Sequence, residues 1–254
     1  MTRYKLTIEY DGRPYAGWQR QSDQPTVQEA LINAVFLFSG QKVDVIGAGR
    51  TDAGVHASGQ VAHIDLDMET DSYRVMQGIN YYLFNPPPDS TYPENRIAVL
   101  DSECVIDEFN ARFSAIRRHY IYRIINRRAR LGLDAGKAWH VIEELDEKAM
   151  QDAANILIGH HDFSTFRDTR CQSKSPEKTL EKLNITRRGT EIHIVASAPS
   201  FLHHQIRNMV GTLSLVGKEK WGVENVKEAL EAKDRRAGGP TAPPDGLYFT
   251  GVDY

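Results

Sequence analysis

The residues with most chemical potential stand together in 47-GAGRTDAGVHASGQVAH-63, where Gly47, Gly49 and Gly54 surround Arg50, Thr51 and Asp52. A dinucleotide fingerprint fails there, because Asp52 takes the place of the third glycine. Gly49 and Gly54 have the spacing of a phosphate loop, but Val55-His56 replaces the required Lys-Ser/Thr. An aspartate inside such a cradle would also repel phosphate. No GxSxG element is present to serve a Ser-His-Asp hydrolase. His56 with His63, and His203 with His204, form no recognisable metal-ligand set, and His56 reads as a loop hydrogen-bonder. What remains is a carboxylate on a loop whose glycines let the backbone approach a ligand. A neighbouring guanidinium would keep that carboxylate ionised, fit to act as a nucleophile or anionic stabiliser. The same residue types suit an Asp-Ala-Gly turn with Arg50 pairing a surface acid. Chemistry alone leaves both open.

The elements that must position this loop follow from periodicity. Residues 4-YKLTIEY-10 alternate as a strand. Thr26 and Glu29 form a capping box, Val27, Ala30, Leu31, Ala34 and Val35 recur at helical spacing, and Gly40 is placed to end the helix. Strands are predicted at Val43–Ile46 and Gln60–Leu66 and a helix over Tyr73–Leu83. The breaker-rich stretch 85-NPPPDSTYPENR-96 reads as a linker. Beyond it come a strand at 119–126, a helix at Glu147–Leu157 and a hairpin joining 180–186 to 191–197. An amphipathic helix over Leu202–Val216, a helix at Val226–Ala232 and a closing strand at 247–254 complete the chain. The expected class is α+β: a mixed, mainly antiparallel sheet flanked by helices, in two halves, residues 1–104 with the aspartate loop and residues 105–254.

Bulk properties narrow the function classes. The 254 residues carry a formal net charge of −3, and no segment is apolar enough to span a membrane. Two cysteines, Cys104 and Cys171, make no disulfide framework, and the N-terminus lacks a signal-peptide run, so a reduced, cytoplasmic protein is expected. Charge is segregated: Arg112, Arg117, Arg118, Arg123, Arg127, Arg128 and Arg130 fall in one stretch without an acidic residue, whereas 143–152 is acidic. Such a patch suits a polyanion better than the net charge suggests, but an arginine-rich solvated strand would look the same.

Six blocks, 15-YAGWQRQ-21, 49-GRTDAGVHASGQVAH-63, 109-FNARFSAIRRHYIYRI-124, 162-DFSTFR-167, 201-FLHHQIRNMVG-211 and 246-GLYFTGVDY-254, decide the matter. In this order they closely resemble the bacterial tRNA pseudouridine synthase A family. The resemblance implies the pseudouridine synthase fold, two similar halves with a cleft between them. It implies isomerisation of uridine to pseudouridine at positions 38–40 of the tRNA anticodon stem-loop. It assigns Asp52 as the catalytic carboxylate, Tyr120 to stacking on the base and helping to remove the C5 proton, and Arg207 to pairing with Asp52. Arg50 would contact RNA or help flip the base, Leu202 would line a dry pocket, and Arg112, Arg118, His203 and His204 would bind RNA, with Arg167, Arg170 and Lys174 as weaker candidates. The family implies a homodimer using neither metal nor organic cofactor. Taken alone, Tyr120 reads as an ordinary strand aromatic, since Tyr122 and Ile124 share its face, and Arg207 as a helix arginine that needs a partner if buried. The competing function is a non-catalytic tRNA-binding or chaperone protein on the same scaffold, with a metal-dependent hydrolase more distant. One departure stands out: 86-PPPDSTYPENRIAVL-100 is altered and acidic around Asp89 and Glu94.

Overall fold

A computed structural model describes residues 1–68, 70–88, 90 and 96–254. The chain forms two compact units, residues 1–116 with 248–254, and residues 117–247.

In the first unit β1 (Thr2–Tyr10) pairs antiparallel with both β3 (His56–Leu66) and β4 (Ile97–Val105). Alternation puts Tyr4, Leu6, Ile8 and Tyr10 of β1 in the core. β3 is buried along nearly its whole length, as befits a central strand. On its other side it takes the short β2 (Ile46–Gly47) and, in parallel, β11 (Leu247–Asp253), with Tyr248 opposite His56. Two helices, α1 (Val27–Ser39) and α2 (Ser72–Phe84), pack on each other, and α2 packs on β4. The Thr26 side chain accepts the Glu29 N–H, and Gly40 ends α1 in the left-handed region at φ 72°.

The strand expected at Val43–Ile46 is a correction, since pairing begins only at Ile46. The carbonyl of Val45 instead accepts the Gln28 side-chain amide at 2.9 Å, which takes it out of any ladder. β3 in turn starts four residues before the expected Gln60, so the glycine loop is shorter than the sequence suggested. β4 was not among the elements expected. Asp89 and Glu94 lie outside the described residues.

In the second unit β5 (Arg117–Asn126), β10 (Glu191–Ala198) and β9 (Lys182–Arg188) form an antiparallel sheet in that spatial order, with β6 (Trp139–Val141) parallel to β5. β7 (Gly159–Asp162) and β8 (Glu177–Leu180) make a separate ribbon. Helix α3 (Glu147–Leu157) packs on β9 and on α4 (Gln205–Gly217) and α5 (Val223–Ala232) through Met150, Ala153, Ala154 and Leu157, all fully buried. A buried Met or Leu at such a seam contributes roughly 1.5–3 kcal/mol. The fold is therefore mixed α+β with mainly antiparallel sheets, and the described residues contain five α-helices.

α4 starts three residues later than its periodicity implied. Residues 202–205 instead close a turn through the Gln205 N–H to the Leu202 carbonyl (3.1 Å) and the Leu202 N–H to Gln205 Oε1 (2.8 Å). His204 takes a left-handed conformation, φ 61°, and cannot continue a helix backwards.

Candidate active site

Asp52 sits on a loop, residues 48–55, held by both neighbouring strands and by the segment after β1. The Ala48 N–H reaches the Val61 carbonyl at 2.8 Å, and Gln60 Nε2 donates to the Gly49 carbonyl at 2.9 Å. Thr51 turns inward: its hydroxyl meets the Tyr10 hydroxyl at 2.8 Å, and its carbonyl accepts the Trp18 N–H at 3.0 Å. The Val55 N–H closes the turn on the Asp52 carbonyl at 3.1 Å. With Thr51 buried, Asp52 is left half-buried and Arg50 exposed on either side of it. Rigid backbone with outward-facing polar side chains is how a loop presents chemistry without a moving part.

The glycines serve this packing more than an open cradle. A Cβ on Gly47 would come within 2.5 Å of the Trp18 ring, so that glycine accommodates the protein's own indole. Gly17, at φ +100°, lies so close that a Cβ would be 2.6 Å from the Thr51 carbonyl oxygen. Neither position tolerates a side chain.

His56 follows the loop and is almost fully buried. Its Nδ1 accepts the Gly12 N–H at 3.2 Å, and the ring stacks on Tyr248 at 4.7 Å. Asp11 lies 3.4 Å from the same nitrogen and also pairs with Arg13 and Arg96. Burial pushes the Asp11 carboxyl up, but the Arg13 hydrogen bonds and the nearby charges outweigh it and bring it down to about 2. His63 likewise uses Nδ1 to accept the Ala111 N–H at 3.1 Å, and burial, then Arg3, push its pKa down. Both histidines are tied to backbone, as the sequence suggested for His56.

In the second unit the structure brings Tyr120 together with the segment before α4. Tyr120 is 8% exposed and meets Phe201 edge to face at 5.2 Å. Arg118, two residues earlier, donates to the Pro199 carbonyl at 2.7 Å. Leu202 is buried, and His203 and His204 lie ring against ring at 4.0 Å, both half-buried. Arg207 lies in the first turns of α4, half-buried, with Nε donating to the Ala242 carbonyl at 2.8 Å while the Ala242 N–H donates to the Arg207 carbonyl at 3.0 Å. This reciprocal pair orients the guanidinium. Tyr122 shares the Tyr120 face; burial raises its pKa well above the usual phenol value, the Arg207 charge opposes that, and its hydroxyl donates to the Pro243 carbonyl.

The arginine-rich stretch is divided in its commitments. Arg117 pairs with Glu181 at 2.5 Å, and Arg123 pairs with Glu191 at 2.7 Å and Asp134 at 3.1 Å. Arg112 belongs to the first unit, exposed, with its guanidinium 5.5 Å from the Phe113 ring centroid. Arg167 donates to the carbonyls of Cys171 and Ser173, which folds 167–173 into a loop.

Sequence reasoning missed Asp168. Its carboxylate lies 2.8 Å from His204 Nδ1 and 3.7 Å from His203 Nδ1, and its N–H donates to the His203 carbonyl at 3.0 Å. Burial pushes the Asp168 carboxyl up, but the Arg170 N–H and the two histidines leave it lowered. Asp168 directly follows the block 162-DFSTFR-167, yet nothing in its spacing announces a partner more than thirty residues away. Asn208 was missed for the same reason: it donates to the Phe166 carbonyl and accepts from Arg235 and Thr241, pinning α4 from both sides.

Comparison with known proteins places these residues in a family. The family model described as tRNA pseudouridine synthase matches residues 6–83 and 153–254. These segments include Asp52, Arg50 and Arg207, while Tyr120 falls between them. The tRNA pseudouridine synthase A of Afipia carboxidovorans is 54% identical over 254 residues, covering the whole of both chains. The proteins of the same name from Xanthobacter autotrophicus and Maricaulis maris are 54% and 52% identical over the whole of this chain, which covers 100% and 98% of theirs. Matched along its full length by such relatives and over most of its length by the family model, the chain belongs to the tRNA pseudouridine synthase family.

Proposed function

We propose that the chain isomerises uridine to pseudouridine in the anticodon stem-loop of tRNA, at positions 38–40, with Asp52 as the catalytic carboxylate. The reaction is balanced within one nucleotide. The N1–C1′ bond breaks, the uracil turns, C5 bonds to C1′, the C5 proton leaves and N1 acquires one. Asp52 acts as nucleophile or as anionic stabiliser of the sugar in this exchange. Glycoside hydrolases usually employ a second carboxylate to activate water. Water capture of the anomeric carbon would destroy this product, so a single carboxylate, with none to activate water, suits the task.

Tyr120 stacks on the flipped base and assists loss of the C5 proton. Arg207 is the cation assigned to the carboxylate, and Arg50 contacts the RNA. Flipping a base costs a few kcal/mol, of which stacking on an aromatic ring returns about 1–3 kcal/mol. Arg112, Arg118, His203 and His204 meet the tRNA backbone. Substrate choice rests on the shape of the stem-loop more than on base edges. The working protein is a cytoplasmic homodimer that needs neither metal nor organic cofactor, with the carboxylate loop in residues 1–104 and the completing residues in 105–254. None of the described helices is long and apolar enough to cross a membrane.

The observation that most supports this reading is the presentation of Asp52, half-buried on a turn whose neighbour Thr51 is buried and bonded to Tyr10. The test uses tRNA carrying tritium at uridine C5. Wild-type protein releases tritium and Asp52→Asn does not, while both bind the tRNA. Binding without release by the wild type on several tRNAs would leave only the non-catalytic role.

A further inference from the structure

The turn after β4 exposes an aromatic ring on a fixed support. Ala111 is fully buried at its base, its N–H given to His63 and its carbonyl accepting the Tyr254 hydroxyl at 2.9 Å. Phe109 packs against Tyr254 at 4.8 Å, and its carbonyl accepts Arg3 Nη1 at 2.8 Å. Asn110 Oδ1 accepts the N–H groups of both Arg112 and Phe113, at 3.0 and 3.1 Å, and the Ser114 hydroxyl accepts the Asn110 N–H at 3.0 Å. At the tip Phe113 is 80% exposed, with the Arg112 guanidinium beside its ring. A single exposed apolar residue needs no explanation by itself. This one is held out by side-chain caps, carries a cation at its ring and follows Arg112, the first arginine of the acid-free run of seven between 112 and 130.

We infer that Phe113 is a stacking platform for an unpaired nucleobase of the tRNA, with Arg112 meeting an adjacent phosphate. This rests on the tRNA reading above and extends it to a second aromatic contact, apart from Tyr120. A flat apolar face joined to a cation matches a nucleotide, which offers a π-face and an anion within one residue. An acidic protein partner would satisfy the arginine but has less use for the ring.

The experiment measures binding of an unmodified anticodon stem-loop RNA to the full-length protein across a salt series. Phe113→Ala weakens binding by about 5- to 150-fold, the range that one lost aromatic–base stack gives. It leaves the salt dependence unchanged, because no phosphate contact is removed. Arg112→Ala lowers the slope of log affinity against log salt by about 1. Phe113→Trp retains affinity, and the fluorescence of its added indole changes on RNA binding relative to wild type. Unchanged affinity in Phe113→Ala overturns the inference. So does a change in oligomeric state by light scattering with affinity per subunit intact, which would make the ring a protein contact. If wild type forms pseudouridine while Phe113→Ala binds normally, the platform falls and the isomerase stands. If wild type forms none while Phe113→Ala loses binding, the isomerase falls and the platform stands.

Discussion

Replacing Thr51 by valine keeps the side-chain shape and deletes one hydroxyl, the one that meets the Tyr10 hydroxyl at 2.8 Å beneath the Asp52 loop. Both residues are buried, and burial raises the Tyr10 pKa to about 12 even though hydrogen bonds to Thr51 and Gln60 oppose it. Removing one partner of a buried pair leaves the other underbonded and costs about 1–3 kcal/mol. Each kcal/mol lowers Tm by roughly 2–4 °C in a chain of this order of size. Tyr10→Phe carries a similar cost. If the two hydroxyls serve each other, Thr51→Val with Tyr10→Phe costs little more than either alone, a coupling of about 0.5–3 kcal/mol. The assay pairs the double-mutant cycle in thermal or urea unfolding with tritium release under saturating tRNA. Loss of the anchor lets Asp52 wander, so kcat falls while tRNA affinity holds. Additive stability losses would refute the pairing. A destabilised Thr51→Val with full kcat would refute the claim that this anchor positions the carboxylate.

Three other perturbations separate structural from functional charge. The Asp11 carboxyl is lowered in the folded chain from 3.8 to about 2, so its contribution is fully present above pH 4 and is lost as pH falls toward 2. Asp11→Asn should remove that part of the acid transition, and an unchanged acid branch in circular dichroism would contradict it. Arg123→Ala strips partners from Glu191 and Asp134 and should lower thermal stability while leaving the salt slope of tRNA binding untouched. A slope reduced by about 1 would instead make Arg123 a phosphate contact. Asp168→Asn weakens the hold on His204 at 2.8 Å and should reduce tRNA affinity several-fold more than Asp162→Asn, an acid in β7; equal effects would deny Asp168 a positioning role.

Local signals carried the elements that have strong local causes. Helix α3 was legible because Met150, Ala153, Ala154 and Leu157 repeat at helical spacing, and the structure adds a cap at Asp146. The β9–β10 hairpin was legible because Gly189 sits between two alternating runs. Strands β6, β7 and β8, of three or four residues, exist only through pairing with distant chain, which periodicity does not report. The start of α4 was misjudged because Asp168, from another element, engages His204 and its left-handed turn. Likewise residue types left Asp52 open between a reactive carboxylate and a turn residue, and the supports of its loop at Tyr10, Gly17 and Trp18 lie more than thirty residues upstream.

The most direct measurement is position-resolved mapping of pseudouridine in tRNA incubated with wild type and with Asp52→Asn, tRNA binding being checked in parallel. Wild type is expected to place new pseudouridine within positions 38–40 and Asp52→Asn none, with similar tRNA affinity for both. Modification persisting without the carboxylate, or appearing only outside the anticodon arm, would contradict this expectation.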